Sequence, residues 1–71
     1  MAKTFSGRAV IQRLVREYGF VVVSQRGSHV KLKKRARVTI VPLHKELAPG
    51  TLRSALRLAG IAYQDFLDSS R

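Results

Sequence analysis

The chain has 71 residues and no cysteine, and its 14 Lys and Arg against 4 Asp and Glu give a formal charge of +10. That length makes a single domain with a thin core, and the lack of cysteine excludes disulfides and thiolate metal sites. A hydrophobic content of 45% argues against disorder, so stability has to come from apolar packing.

The N-terminal residues Met1 to Ser6 lack the apolar stretch of a signal peptide, and no run approaches a membrane span, which predicts a cytoplasmic protein. Ser6 can cap a helix, with Phe5 and Val10 placed as a hydrophobic staple. Val10, Ile11, Leu14, Val15 and Tyr18 then fall on one helical stripe, and Gly19 sits where a terminating glycine belongs. A first helix is expected over 7–18.

Residues 20–25, Phe-Val-Val-Val-Ser-Gln, are β-branched and too short for a helix, so they predict a strand, and Arg26-Gly27 a turn. Residues 28–34 alternate. Ser28, Val30 and Leu32 take one face, and His29, Lys31 and Lys33 the other. Lys34 to Arg37 reads as a polar hairpin connection and 38–41 as a third strand ending at Pro42. Which residues of the first and third strands point inward is not legible, because both contain consecutive apolar residues.

Pro49 or Thr51 opens a second helix whose stripe is Leu52, Ala55, Leu56 and Ala59, and Gly60 ends it. Residues 61–67 predict a short last helical turn packed through Phe66 and Leu67. The expected class is α+β with order α-β-β-β-α, a three-stranded antiparallel meander with the helices on its one apolar face. The other sheet face would then present His29, Lys31 and Lys33 to solvent.

The charge is uneven. Residues 1–45 hold eleven basic side chains and one acid, Glu17, whereas 46–71 hold three of each. Such asymmetry points first to nucleic acid, then to an acidic protein or membrane surface. Lys31, Lys33, Lys34, Arg35 and Arg37 put five cations into seven residues, a phosphate clamp or merely a solvated hairpin. Arg26, in the expected turn, and Ser28, directly after it, join the expected RNA contacts.

Metal-free RNA cleavage needs a base for the 2′-OH or an acid for the leaving 5′-oxygen, and cations on the crowded phosphate. Histidine suits both proton transfers near neutral pH, so His29 with Lys31 and Lys33 supplies the set. His44 is an auxiliary candidate, as an acid/base partner or a phosphate contact, beside the plainer reading of a loop histidine capping local structure. Four carboxylates are too few for a two-metal nuclease, and two histidines on different segments do not suggest zinc, so neither metal nor cofactor is expected. A non-catalytic RNA-binding module and an adaptor for an acidic protein stay open as alternatives.

Ser6-Gly7-Arg8, Gln25-Arg26-Gly27-Ser28-His29, Val41-Pro42-Leu43-His44, the run Pro49 to Leu56 and Ala59-Gly60-Ile61 occur together in order over residues 5–67. In these stretches the chain resembles the HicA (YcfA-like) toxins of HicA–HicB toxin–antitoxin modules. The resemblance implies a fold like the double-stranded-RNA-binding domain, an mRNA interferase whose Gly-Ser-His histidine corresponds to His29, and a HicB antitoxin as partner. Many members carry a second histidine directly after the first, where this chain has Val30. Strand alternation points that position inward, so packing detail rather than activity should differ. The antitoxin is expected to be acidic and to mask the His29 face.

Overall fold

The computed structural model describes residues 4–69. Its elements are α1 (Gly7–Tyr18), β1 (Val21–Arg26), β2 (His29–Lys34), β3 (Arg37–Pro42), α2 (Pro49–Ala59) and α3 (Tyr63–Asp68). The strands form one antiparallel sheet in the order β1-β2-β3. The expected α-β-β-β-α layout with a short last helix is the one observed.

Local chemistry sets the element ends. The Ser6 hydroxyl accepts from the Ala9 amide at 3.0 Å, capping α1. Gly19 and Gly60, with φ of 78° and 75°, end α1 and α2 in the left-handed region that a side chain enters only at a cost. Pro49, rather than Thr51, opens α2, behind Ala48 as the cap residue. Its fixed φ suits a first helical position, where the missing N–H is no loss.

Both helices turn their stripes to the inner face of the sheet, although Val15 of the expected α1 stripe stays exposed and Ile11 and Tyr18 are only partly buried. Val10 and Leu14 of α1 and Leu52, Ala55, Leu56 and Ala59 of α2 close over Val30, Leu32 and Val41, joined by Phe5, Phe20, Leu47 and Phe66. Thr39 is the polar member of this core. Its hydroxyl donates to the Ala55 carbonyl at 2.7 Å, tying β3 to α2 from within. Thr39 and Val41 therefore face inward, and Val38 and Ile40 face out at 36% and 46% exposure.

β1 departs from simple alternation. The register slips between Val22 and Ser24, leaving Val23 as the extra residue of a bulge. All six residues of β1 are exposed, so the helices cover the sheet toward β2 and β3 and leave this edge open.

Candidate functional site

His29 opens β2 directly after a two-residue turn of Gly27 and Ser28. The turn lies one residue later than expected, and Arg26 ends β1 as the cross-strand partner of His29. Gly27 has φ 58°, and a Cβ there would meet nothing within 4 Å, so backbone freedom alone accounts for the glycine.

The bulge at Val23 decides what stands beside His29. Before it, Val22 pairs with inward Leu32. After it, Ser24 pairs with outward Lys31 and Arg26 with outward His29. Without the extra residue, Arg26 would share the inward phase of Val22. The outer face thus carries three cross-strand rows, Arg26–His29–Pro42, Ser24–Lys31–Ile40 and Val21–Lys33–Val38. His29, Lys31 and Lys33 are exposed there, as the alternation predicts, and Val30 is buried beneath them at 4% exposure.

The segment after β3 is pinned by long-range backbone bonds. The Leu43 amide donates to the Ser28 carbonyl at 2.7 Å, and the Gly7 amide to the His44 carbonyl at 2.9 Å. Gly7 is buried so close to β3 that a Cβ would overlap the Pro42 carbonyl oxygen, which explains the glycine in Ser6-Gly7-Arg8. This anchoring brings His44 to the wall of a cleft of about 410 Å³ that His29 also lines, together with Ile40, Pro42, Thr51 and Ser54.

A second hollow of about 360 Å³ lies on the other side of His29, between Ser24, Arg26, Lys31 and Ile40. A third, of about 280 Å³, places Arg8 and Lys45 beside His44. His29 and His44 are the shared walls of these neighbouring depressions. Arg8, Lys45, Thr51 and Ser54 were not singled out from sequence. Thr51 and Ser54 lie in the Pro-Gly-Thr-Leu-Arg-Ser run, which was the available signal.

The basic run is split by the fold. Lys31 and Lys33 stand with His29, but Lys34 and Arg37 pair at the opposite end of the sheet, roughly 17 Å away at about 3.4 Å per strand residue. Both lie in the inward phase. Lys34 extends along Gly19 and Arg37 against Gly60, next to the carbonyl ends of α1 and α2, where cations are favoured. Arg35 lies in the intervening turn.

Arg13 is committed elsewhere. It donates to the Phe66 carbonyl at 3.0 Å and lies 3.8 Å from the centre of the Phe66 ring. Its 3.4 Å contact with Glu17 is the ion pair found among the described residues, and it does not touch the outer sheet face. Among the same residues, no group of three His, Asp or Glu side chains gathers where it could hold a metal.

Two imidazoles in one cleft, with Arg26 and Lys31 beside the first and Arg8 and Lys45 beside the second, form an arrangement suited to a phosphodiester. The cations can neutralise the phosphate and the imidazoles can move protons on either side of it. A family model described as the HicA toxin of bacterial toxin–antitoxin matches residues 7–61. That span runs from the first residue of α1 to the residue after the α2 cap and includes both histidines. No curated protein matches the chain.

Proposed function

The chain belongs to the HicA toxin family of bacterial toxin–antitoxin systems, and from that footing we propose that it is an endoribonuclease that cuts mRNA with His29 as its catalytic residue. The observation that carries this reading is the position of His29, exposed between two hollows, with Arg26 and Lys31 on one side and His44 on the other. One imidazole takes the 2′-OH proton as that oxygen attacks phosphorus, and the other protonates the departing 5′-oxygen. Arg26, Lys31 and Lys33 balance the charge gathering on the phosphate. Ser28, in the turn before β2, is a further RNA contact, and Lys34, Arg35 and Arg37 meet RNA at the far end of the sheet.

The scarcity of carboxylates supports a metal-independent route. Purified protein is expected to cut RNA internally in excess EDTA at the rate seen without it. Activity lost in EDTA and restored by magnesium or manganese would overturn that route. RNA binding without cleavage under any ionic condition would favour the non-catalytic module.

A toxin of this family has an antitoxin partner. We place a HicB-like antitoxin over the His29 face, where it would block the cleft directly. Val21, Val38 and Ile40 stand exposed among Lys31 and Lys33, so the surface offers apolar area as well as charge. An acidic partner gains speed of association from the lysines and burial from the aliphatic side chains. A Lys31→Glu, Lys33→Glu double variant is expected to bind the antitoxin at least tenfold more weakly, slowed mainly in association. Unchanged affinity by surface capture would place the antitoxin elsewhere. No helix among the described residues is long and apolar enough to cross a membrane, and mRNA as substrate places the proposed action in the cytoplasm.

A further inference from the structure

A further hollow, larger than the three at the histidines, lies away from them. A pocket of about 510 Å³ opens at the opposite end of the sheet, lined by Tyr18, Phe20, Arg35, Arg37, Ile61 and Asp65 among others. That volume is in the range of small-ligand sites. It exists because α1 and α2 both stop here on left-handed glycines. A Cβ at Gly60 would overlap the Arg37 guanidinium, so this glycine makes room for the arginine at the pocket wall.

Two further features mark the pocket as more than a packing gap. Arg35 holds φ at 56°, the one described residue other than glycine in the left-handed region, although glycine would sit there at lower cost. Such strain at a pocket mouth is the pattern expected of a residue kept for its side chain. Asp65 is exposed in the first turn of α3 and forms no ion pair among the described residues, although Lys34, Arg35 and Arg37 line the same pocket.

We propose that this pocket is a nucleobase subsite that takes one unstacked base of the RNA and prefers bases bearing an exocyclic amine, cytosine over uracil. The inference rests on the RNA-cutting reading and adds a means of base selection, for which the outer sheet face offers no Phe, Tyr or Trp among the described residues. The ring enters between Tyr18, Phe20 and Ile61, with the planar Arg37 guanidinium as a stacking surface. The Asp65 carboxylate accepts from the base amine, as carboxylates do from cytosine N4. Lys34 and Arg35 take the flanking phosphate. Lys31 and Lys33 mark the path along β2 to His29, so the selected base lies several nucleotides from the cut. An acidic peptide fits less well, because it could satisfy Lys34, Arg35 and Arg37 but would leave Asp65 without a donor.

The test uses ¹⁵N-labelled full-length protein carrying His29→Ala, so that RNA stays intact. It is titrated with cytidine monophosphate, uridine monophosphate, a short single-stranded RNA and a poly-glutamate peptide. Cytidine monophosphate is expected to shift the amides of Gly60, Ile61 and Asp65 and to bind about tenfold more tightly than the uridine nucleotide. Asp65→Asn should erase that preference without altering the rest of the spectrum. Equal binding of the two nucleotides, or pocket shifts seen only with an acidic peptide, would overturn the inference. RNA-induced shifts at Lys31 and Lys33 with none at Gly60 or Ile61 would overturn it while sparing the RNA reading. No RNA-induced shift at either place would remove both.

Discussion

His29→Ala is expected to lower RNA cleavage by about 10²–10⁴-fold, the range for loss of a general acid or base, while fold and RNA affinity stay near wild type. The side chain stands on the exposed face at the first position of β2, over buried Val30 but outside the core. Removing it opens no cavity and leaves no buried polar atom without a partner, so unfolding by urea should be nearly unchanged. Affinity should persist because Arg26, Lys31 and Lys33, the proposed phosphate contacts, are untouched. Gel-based cleavage of a defined RNA and a binding titration on the same two preparations separate these effects. A variant that still cuts at close to the wild-type rate would move the chemistry elsewhere, with His44 the first residue to examine.

Phe66→Ala is expected to cost about 3–5 kcal/mol, the usual range for deleting a buried aromatic ring. Phe66 is fully buried and is the packing centre of α3. Its ring meets Phe5 edge-on at 5.3 Å between centroids and stacks with Tyr18 at 6.4 Å. The Arg13 guanidinium lies over it, and two of the buried Arg13 nitrogens, Nε and Nη1, have no hydrogen-bond partner. Without the ring, that charge would face a cavity. A helix of six residues does not hold by itself, so α3 should detach from Arg13 and Tyr18 when its anchor is lost. Small domains have total stabilities of about 5–15 kcal/mol, and a 71-residue chain belongs at the lower end of that range. Urea unfolding should show most of the stability gone, with early loss of the aromatic near-UV signal. A midpoint close to wild type would mean that α3 contributes little to the core.

The helices and β2 were legible in the sequence because their signals are local. Ser6 and Gly19 frame α1 through bonds and angles within a few residues of each end, and the helical stripe between them is continuous. In β2, apolar Val30 and Leu32 alternate with polar His29, Lys31 and Lys33, so the exposed row of the last three follows from a period of two. The same row, with Gly27-Ser28 before it, pointed to His29 as the residue to test.

Tertiary structure alone decided the rest of the site. A valine run carries no sign of where an extra residue will bulge, yet the slip at Val23 turns Ser24 and Arg26 to the His29 face. In β3 consecutive apolar residues leave the phase open in the sequence; in the fold Thr39, bonded to the Ala55 carbonyl, and Val41 turn inward, and Val38 and Ile40 stay outside. The run from Lys31 to Arg37 looks like one patch in the sequence. The pleat sends Lys31 and Lys33 one way and Lys34 and Arg37 toward the helix ends. His44 lines the same cleft as His29 because Ser28 and Gly7 hold the segment after β3. Periodicity tells which residues share a face, whereas long-range backbone bonds and helix placement determine which face is covered and which distant residues meet on it.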